Sequence, residues 1–207
     1  GQEMWVWLRL KLLADVGLLG LPNAGKSTFI NQVTNARAKV GDYAFTTLIP
    51  KLGVVRHKGR EFVLADIPGL IAGAAEGAGI GDRFLGHIER CRVLIHLVDI
   101  AGQDPAGAMQ TVRAELAAYG EGLAEKPQLV ALNKVDLADA ELVAGFAEEL
   151  RAAGADEVFG VSGATGEGIE PLLDAVLAYL PDRTATETKG SEVEDDPGAE
   201  GDWSPLG

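Results

Sequence analysis

Apolar residues along this chain fall into short unbroken runs separated by longer stretches with helical spacing. Residues 93–98, Val-Leu-Ile-His-Leu-Val, are apolar at all but one position, and residues 14–19 and 129–132 read the same way. Such runs are strands covered on both faces of a sheet. Apolar positions three and four apart predict helices over residues 28–33, 82–90, 108–119, 140–153 and 168–180. Residues 51–56 and 60–65 predict a β-hairpin turning at Lys58 and Gly59, and residues 157–161 a last short strand. Residues 5–12 alternate, with Val6, Leu8, Leu10 and Leu12 on one side and Trp5, Trp7, Arg9 and Lys11 on the other, as in a half-buried strand or extended lead-in. Residues 41–47 and the Gly- and Ala-rich residues 71–81 read as mobile. Strands alternating with helices predict an α/β fold. Its sheet is mostly parallel with helices on both faces and one antiparallel edge strand, and ligands sit at the carboxyl ends of the strands.

Composition narrows the class. The 207 residues are 47% hydrophobic and 24% charged, as in a soluble globular protein, and suffice for a proper core. A net charge of −13 excludes nonspecific binding to duplex nucleic acid across the whole surface. Cys91 is the only cysteine, so no intrachain disulfide forms and a reducing, cytoplasmic setting is expected. Arg9, Lys11 and Asp15 interrupt the apolar opening, which therefore reads neither as a signal peptide nor as a membrane span. Pro181 ends the last helix. Beyond it Glu192, Glu194, Asp195, Asp196, Glu200 and Asp202 predict an acidic tail that buries too little surface to order. Three segments are expected: a lead-in at 1–13, a folded domain at 14–181 and the tail at 182–207.

Gly20-Leu21-Pro22-Asn23-Ala24-Gly25-Lys26-Ser27-Thr28 matches glycine, four residues, then Gly-Lys-Ser/Thr, between a predicted strand and a predicted helix. The glycines let successive N–H groups turn toward phosphate oxygens, and the helix dipole adds to their pull. Lys26 is placed for the β- and γ-phosphates, and the Ser27 hydroxyl for Mg²⁺. A nucleoside triphosphate site follows.

The base is read from Asn133-Lys134-Val135-Asp136 at a strand end. A carboxylate at Asp136 accepts from guanine N1–H and the 2-amino group, whereas adenine offers neither donor. Leaving such a group unpaired rejects the wrong ligand by ~10⁴ to 10⁵. Asn133 and Lys134 are expected to shape this loop and cover the base. Backbone N–H groups of Ser162, Gly163 and Ala164 are expected at the guanine O6.

Asp66-Ile67-Pro68-Gly69 places a carboxylate where it can hold a Mg²⁺ water and a Gly69 N–H near the γ-phosphate. A plain strand-ending turn is the alternative. A hydroxyl from Thr46 or Thr47 is expected to complete the Mg²⁺ shell when GTP is bound. His57, His87 and His96 are too scattered for a metal site, and Glu115 and Glu121 read as a solvated face.

Together with Phe45-Thr46-Thr47-Leu48, Asp66 to Ile71, Gly77-Ala78-Gly79-Ile80-Gly81 and His87-Ile88-Glu89-Arg90, these motifs resemble the bacterial Obg GTPases over residues 5–180. The resemblance implies a Ras-like P-loop fold hydrolysing GTP to GDP. It implies Lys26, Thr47 and Gly69 in catalysis, Ser27, Thr47 and Asp66 on Mg²⁺, and nucleotide contacts from Phe45, Thr46, Thr47, Leu48 and Ile49. It further implies a role at the large ribosomal subunit and in stress signalling, and a glycine-rich domain ahead of an isolated, monomeric GTPase domain. The alternative output is binding, with hydrolysis as a timer. Leu70 stands where Ras-like proteins carry a water-orienting glutamine, so turnover is expected to be slow. For Asn23 two readings stand: a potassium ligand, as in GTPases with a similar loop, or a residue that only stabilises the loop.

Overall fold

A computed structural model describes residues 14–34, 51–67, 91–119 and 122–182. The expectations for residues 5–12, for Phe45, Thr46, Thr47, Leu48 and Ile49, for Pro68, Gly69, Leu70 and residues 71–90, for Glu121 and for the tail beyond 182 fall outside them.

The described residues form six strands: β1 (Val16–Leu19), β2 (Leu52–His57), β3 (Arg60–Asp66), β4 (Val93–Asp99), β5 (Gln128–Asn133) and β6 (Val158–Val161). Their order across the sheet is β2-β3-β1-β4-β5-β6. Every neighbouring pair is parallel except β2 with β3, so the hairpin supplies an antiparallel edge. The helices are α1 (Lys26–Val33), α2 (Pro105–Tyr119), α3 (Ala140–Ala152) and α4 (Ile169–Tyr179), with a 3₁₀ turn at Val135–Leu137.

Burial explains the apolar runs. All four residues of β1 are buried, as are six of the seven in β4. On one face Phe29 and Ile30 of α1 and Leu172, Val176 and Leu177 of α4 pack against Val16, Leu18, Val93, Ile95 and Leu97. On the other, Val112 and Leu116 of α2 meet Leu19 and Leu94, while Met109 and Leu150 meet Val98, Val130 and Leu132. Alternate side chains of a strand point to opposite faces, so a strand covered on both sides has no polar position to spare.

Two helices start earlier than expected. α2 starts at Pro105 rather than 108, because Asp104 Oδ1 accepts the Gly107 N–H at 2.7 Å and Pro105 is preset for a first helical turn. α1 begins at Lys26, two residues before the expected 28, after a left-handed Gly25 and without a side-chain cap. Glu115 corrects the reading of a solvated face. Its Oε2 is buried without a hydrogen-bond partner among the described residues, and burial raises its carboxyl above the usual range. Cys91 is buried and its thiol is pushed up to about 12 by burial, which keeps it inert.

Candidate functional site

Parallel pairing brings the carboxyl ends of the strands to one edge. Leu18 pairs with Asp66, Leu19 with His96, Asp99 with Asn133, and Asn133 with Val161. The segments that follow are residues 20–25, Asp66, Asp99, residues 133–136 and residues 162–164. The sheet therefore gathers at one edge those candidate residues that the structure describes.

The loop after β1 is shaped by two glycines. Gly20 has φ +150° and a Cβ there would lie 2.6 Å from the Leu97 carbonyl oxygen; Gly25 has φ +92° and a Cβ would lie 2.4 Å from Asn133 Nδ2. No larger residue fits either position. Leu21 anchors the loop on the core, Ala24 is buried, and Pro22 and Asn23 are exposed. Asn23 is left-handed, with φ 67°. Lys26 Nζ donates to the carbonyls of Gly20 at 2.7 Å and Leu21 at 3.1 Å, lying folded along the loop it is expected to serve. Its pKa is lowered by burial, with Asp66 partly opposing. Ser27 and Thr28 are exposed in the first turn of α1.

Asn133 is the centre of the site. It is 1% exposed, its Nδ2 donates to Ala24 O at 2.8 Å, and its Oδ1 accepts the Gly163 N–H at 3.0 Å. One carboxamide thereby sets the distance between the loop after β1 and the loop after β6. Both polar atoms of its carboxamide are thus spent on shaping the site, the first half of its expected role. Lys134 is left-handed with φ 68°, and its Nζ donates to Asp99 Oδ2 at 2.5 Å. Val135 is buried and Asp136 exposed in the following 3₁₀ turn.

The loop after β6 is more committed than its sequence suggests. Ser162 N donates to Glu167 O at 2.9 Å and Gly163 N to Asn133 Oδ1, leaving the exposed Ala164 as the N–H without a partner among the described residues. That narrows the expected O6 contact to Ala164. Asp99 was not singled out in the sequence. Its signal is its place as the last residue of a buried strand, where a carboxylate is rarely spent on packing.

Asp66 is 7% exposed and its Oδ1 has no hydrogen-bond partner among the described residues. Burial raises its carboxyl pKa, and Lys26 and Lys51 pull the other way. A buried carboxylate oxygen without a partner among the described residues is a hard donor left to spare, and suits Mg²⁺. Ile67, next in line, is buried and donates its N–H to Leu18 O at 3.1 Å. His96 is buried in β4; burial, Arg113 and Lys26 hold it neutral, its pKa lowered to about 3. His57 ends β2 beside Asp174, away from the site, and no cluster of His, Cys, Asp and Glu able to hold a metal occurs among the described residues.

Residues 15–134 match the family of 50S ribosome-binding GTPases. Among curated proteins the chain is 84% identical over 206 residues to the GTPase Obg of Erythrobacter litoralis and 70% identical over 209 residues to that of Novosphingobium aromaticivorans. In both cases the match covers 100% of this chain and 58% of the relative, so the chain spans a little over half of their length. Among solved structures, the G domain of the T. maritima FeoB iron transporter aligns with TM-score 0.58 at 22% identity, over 81% of this chain and 99% of its own. A point variant of Aquifex aeolicus Era bound to GDP·AlF₄⁻ aligns with TM-score 0.61 at 23% identity, over 83% of this chain and 58% of its own. These two likenesses establish the Ras-like P-loop fold.

Proposed function

The chain belongs to the family of 50S ribosome-binding GTPases and matches its Obg members, and from this premise we propose that it binds GTP and GDP and hydrolyses GTP slowly. The folded unit would run over residues 14–181, with 1–13 and 182–207 as flanking segments. The observation that carries the reading is the Asn133 carboxamide, bonded at once to Ala24 and Gly163. It holds a phosphate-sized loop and a base-sized loop at a fixed separation before any ligand arrives, and such preorganisation lowers the cost of binding.

In this reading Asp136 accepts from the guanine N1–H and 2-amino groups, and Ala164 N–H donates to O6. Lys26 exchanges the carbonyls of Gly20 and Leu21 for the β- and γ-phosphates, where its charge matters most as charge builds on the leaving and transferred oxygens. Ser27 and Asp66, with Thr47 by family resemblance, would hold Mg²⁺, which when bound neutralises the phosphate oxygens. Gly69 would donate its N–H to the γ-phosphate. Leu70 cannot orient water, so slow turnover follows from the sequence. The proposed partner is the large ribosomal subunit in the cytoplasm, with stress signalling as part of the same role. No described helix is long and apolar enough to cross a membrane.

Competition of GTP, GDP and ATP for a fluorescent guanine nucleotide tests the binding reading, and phosphate release with magnesium tests hydrolysis. Equal competition by ATP would remove the guanine assignment. Cosedimentation with large subunits in the GTP and GDP states tests the partner, and indifference to nucleotide would sink the switch.

A further inference from the structure

Lys51 lies outside every residue assigned above, yet its ammonium sits at the expected cation site. The backbone pins it there. Leu52 of β2 pairs with Ala65 of β3, and the Asp66 N–H donates to Lys51 O at 2.8 Å, so the hairpin holds Lys51 directly beside Asp66. From that anchor its Nζ reaches across 24 residues of chain to donate to Ser27 Oγ at 3.1 Å. The other nearby cation, Lys26, is occupied by the carbonyls of Gly20 and Leu21. Lys51 therefore bonds one of the two side chains that suit Mg²⁺, the Ser27 hydroxyl, and acts on the other, the Asp66 carboxylate with its orphaned Oδ1, through its charge.

We infer that Lys51 is a built-in competitor of the divalent cation, a tethered ammonium that balances the Ser27–Asp66 site and must withdraw when Mg²⁺ enters. A hydroxyl oxygen accepting from an ammonium cannot offer the same lone pair to a metal, and the displaced charge remains close to the arriving ion. Both effects raise the magnesium concentration at which nucleotide is held. Lys51 is exposed, so its long stem can swing into solvent and the effect is moderate. The inference rests on the reading of Ser27 and Asp66 as cation ligands.

The test follows release of fluorescently labelled GDP from the purified chain across a magnesium titration. Lys51→Met is expected to lower the magnesium concentration that half-maximally slows release by about 3- to 10-fold, and the gap from wild type should shrink as salt rises. Lys51→Arg keeps the charge and should stay near wild type. No shift in Lys51→Met, or a shift to higher magnesium, overturns the inference. Ser27→Ala tests the underlying reading separately, because loss of the hydroxyl should weaken the magnesium dependence. If Ser27→Ala changes nothing, the cation site is misassigned and both readings fall. If Ser27→Ala acts and Lys51→Met does not, only the role of Lys51 is lost. Thermal melts of each variant confirm that the fold is intact.

Discussion

In the proposed site Asp136 would read the base from an exposed position and Asn133 would frame it from a buried one. The carboxylate of Asp136 only accepts, whereas a carboxamide also donates. Asp136→Asn is expected to trade guanine for xanthine, whose C2 carbonyl accepts from the new NH₂. Competition by xanthosine triphosphate measures it, and full retention of GTP affinity would show that another residue reads the base. His96 raises a different matter, because a buried imidazole whose Nδ1 has no partner among the described residues costs stability when it must stay neutral. Its folded pKa of about 3 lies below the ordinary 6.5, so the unfolded chain takes up a proton in that window and the folded chain does not. Stability from this group is complete above the unfolded value and falls as pH drops through the window. Between about pH 8 and about pH 5 the loss should be about 2 kcal/mol. Urea unfolding of His96→Leu, compared with wild type at both ends, should erase that part of the slope; an unchanged slope would mean the histidine protonates in place.

Elements are joined by contacts distant in sequence, clearest where the β2–β3 hairpin meets the end of α4. Arg60 donates from Nη1 to Leu177 O at 3.2 Å, and from Nη2 to Leu180 O at 2.8 Å and Pro181 O at 2.6 Å; it also pairs with Asp182 at 3.3 Å. Leu177 O already accepts the Leu180 N–H at 3.2 Å, whereas the carbonyls of the cap Leu180 and of Pro181 have no helical donor; all lie at the end where a cation is favoured. Beside it His57 Nε2 lies 2.7 Å from Asp174 Oδ1, and Lys58 Nζ donates to Asp174 Oδ2 at 2.7 Å. Arg60→Ala should cost about 1–3 kcal/mol in denaturant unfolding with the slope unchanged, since it strands several acceptors. Arg60→Lys should recover only part, because a point charge cannot span the fork of carbonyls. An alanine variant as stable as wild type would mean water serves these carbonyls equally well. The hairpin itself is legible in the sequence from its alternation and Lys58-Gly59 turn. The clamp is not, because nothing local to Arg60 points to a helix 117 residues away.

For the molecule as a whole, the legible part is what local periodicity and spacing encode: the alternation of buried strands and helices, and loops that recur at strand ends. Hidden from it are the commitments that only folding makes, such as the Gly163 N–H given to Asn133 and the Lys51 ammonium set on Ser27. Asn23 keeps both readings the sequence leaves open. Its left-handed backbone suits asparagine at a tight loop, while its exposed carboxamide makes no hydrogen bond among the described residues. An ion beside the phosphates would use that oxygen, and a loop-shaping residue would not need it. Leu70 makes such an ion useful, because the chain lacks the amide that would otherwise position water. Hydrolysis is therefore expected to be slow in sodium buffer and several-fold faster in potassium, with the gain abolished in Asn23→Ala. The run from Ile71 to Gly81 carries Gly73, Gly77, Gly79 and Gly81, whose ordering costs more backbone entropy than that of other residues. Leu70→Gln should then help little, since an amide contributes only when it is held in line with the attacking water. Phosphate release in matched sodium and potassium buffers decides the matter. Equal rates would remove the ion from the mechanism, and a large rescue by Leu70→Gln would show a segment already in place and short of only its amide.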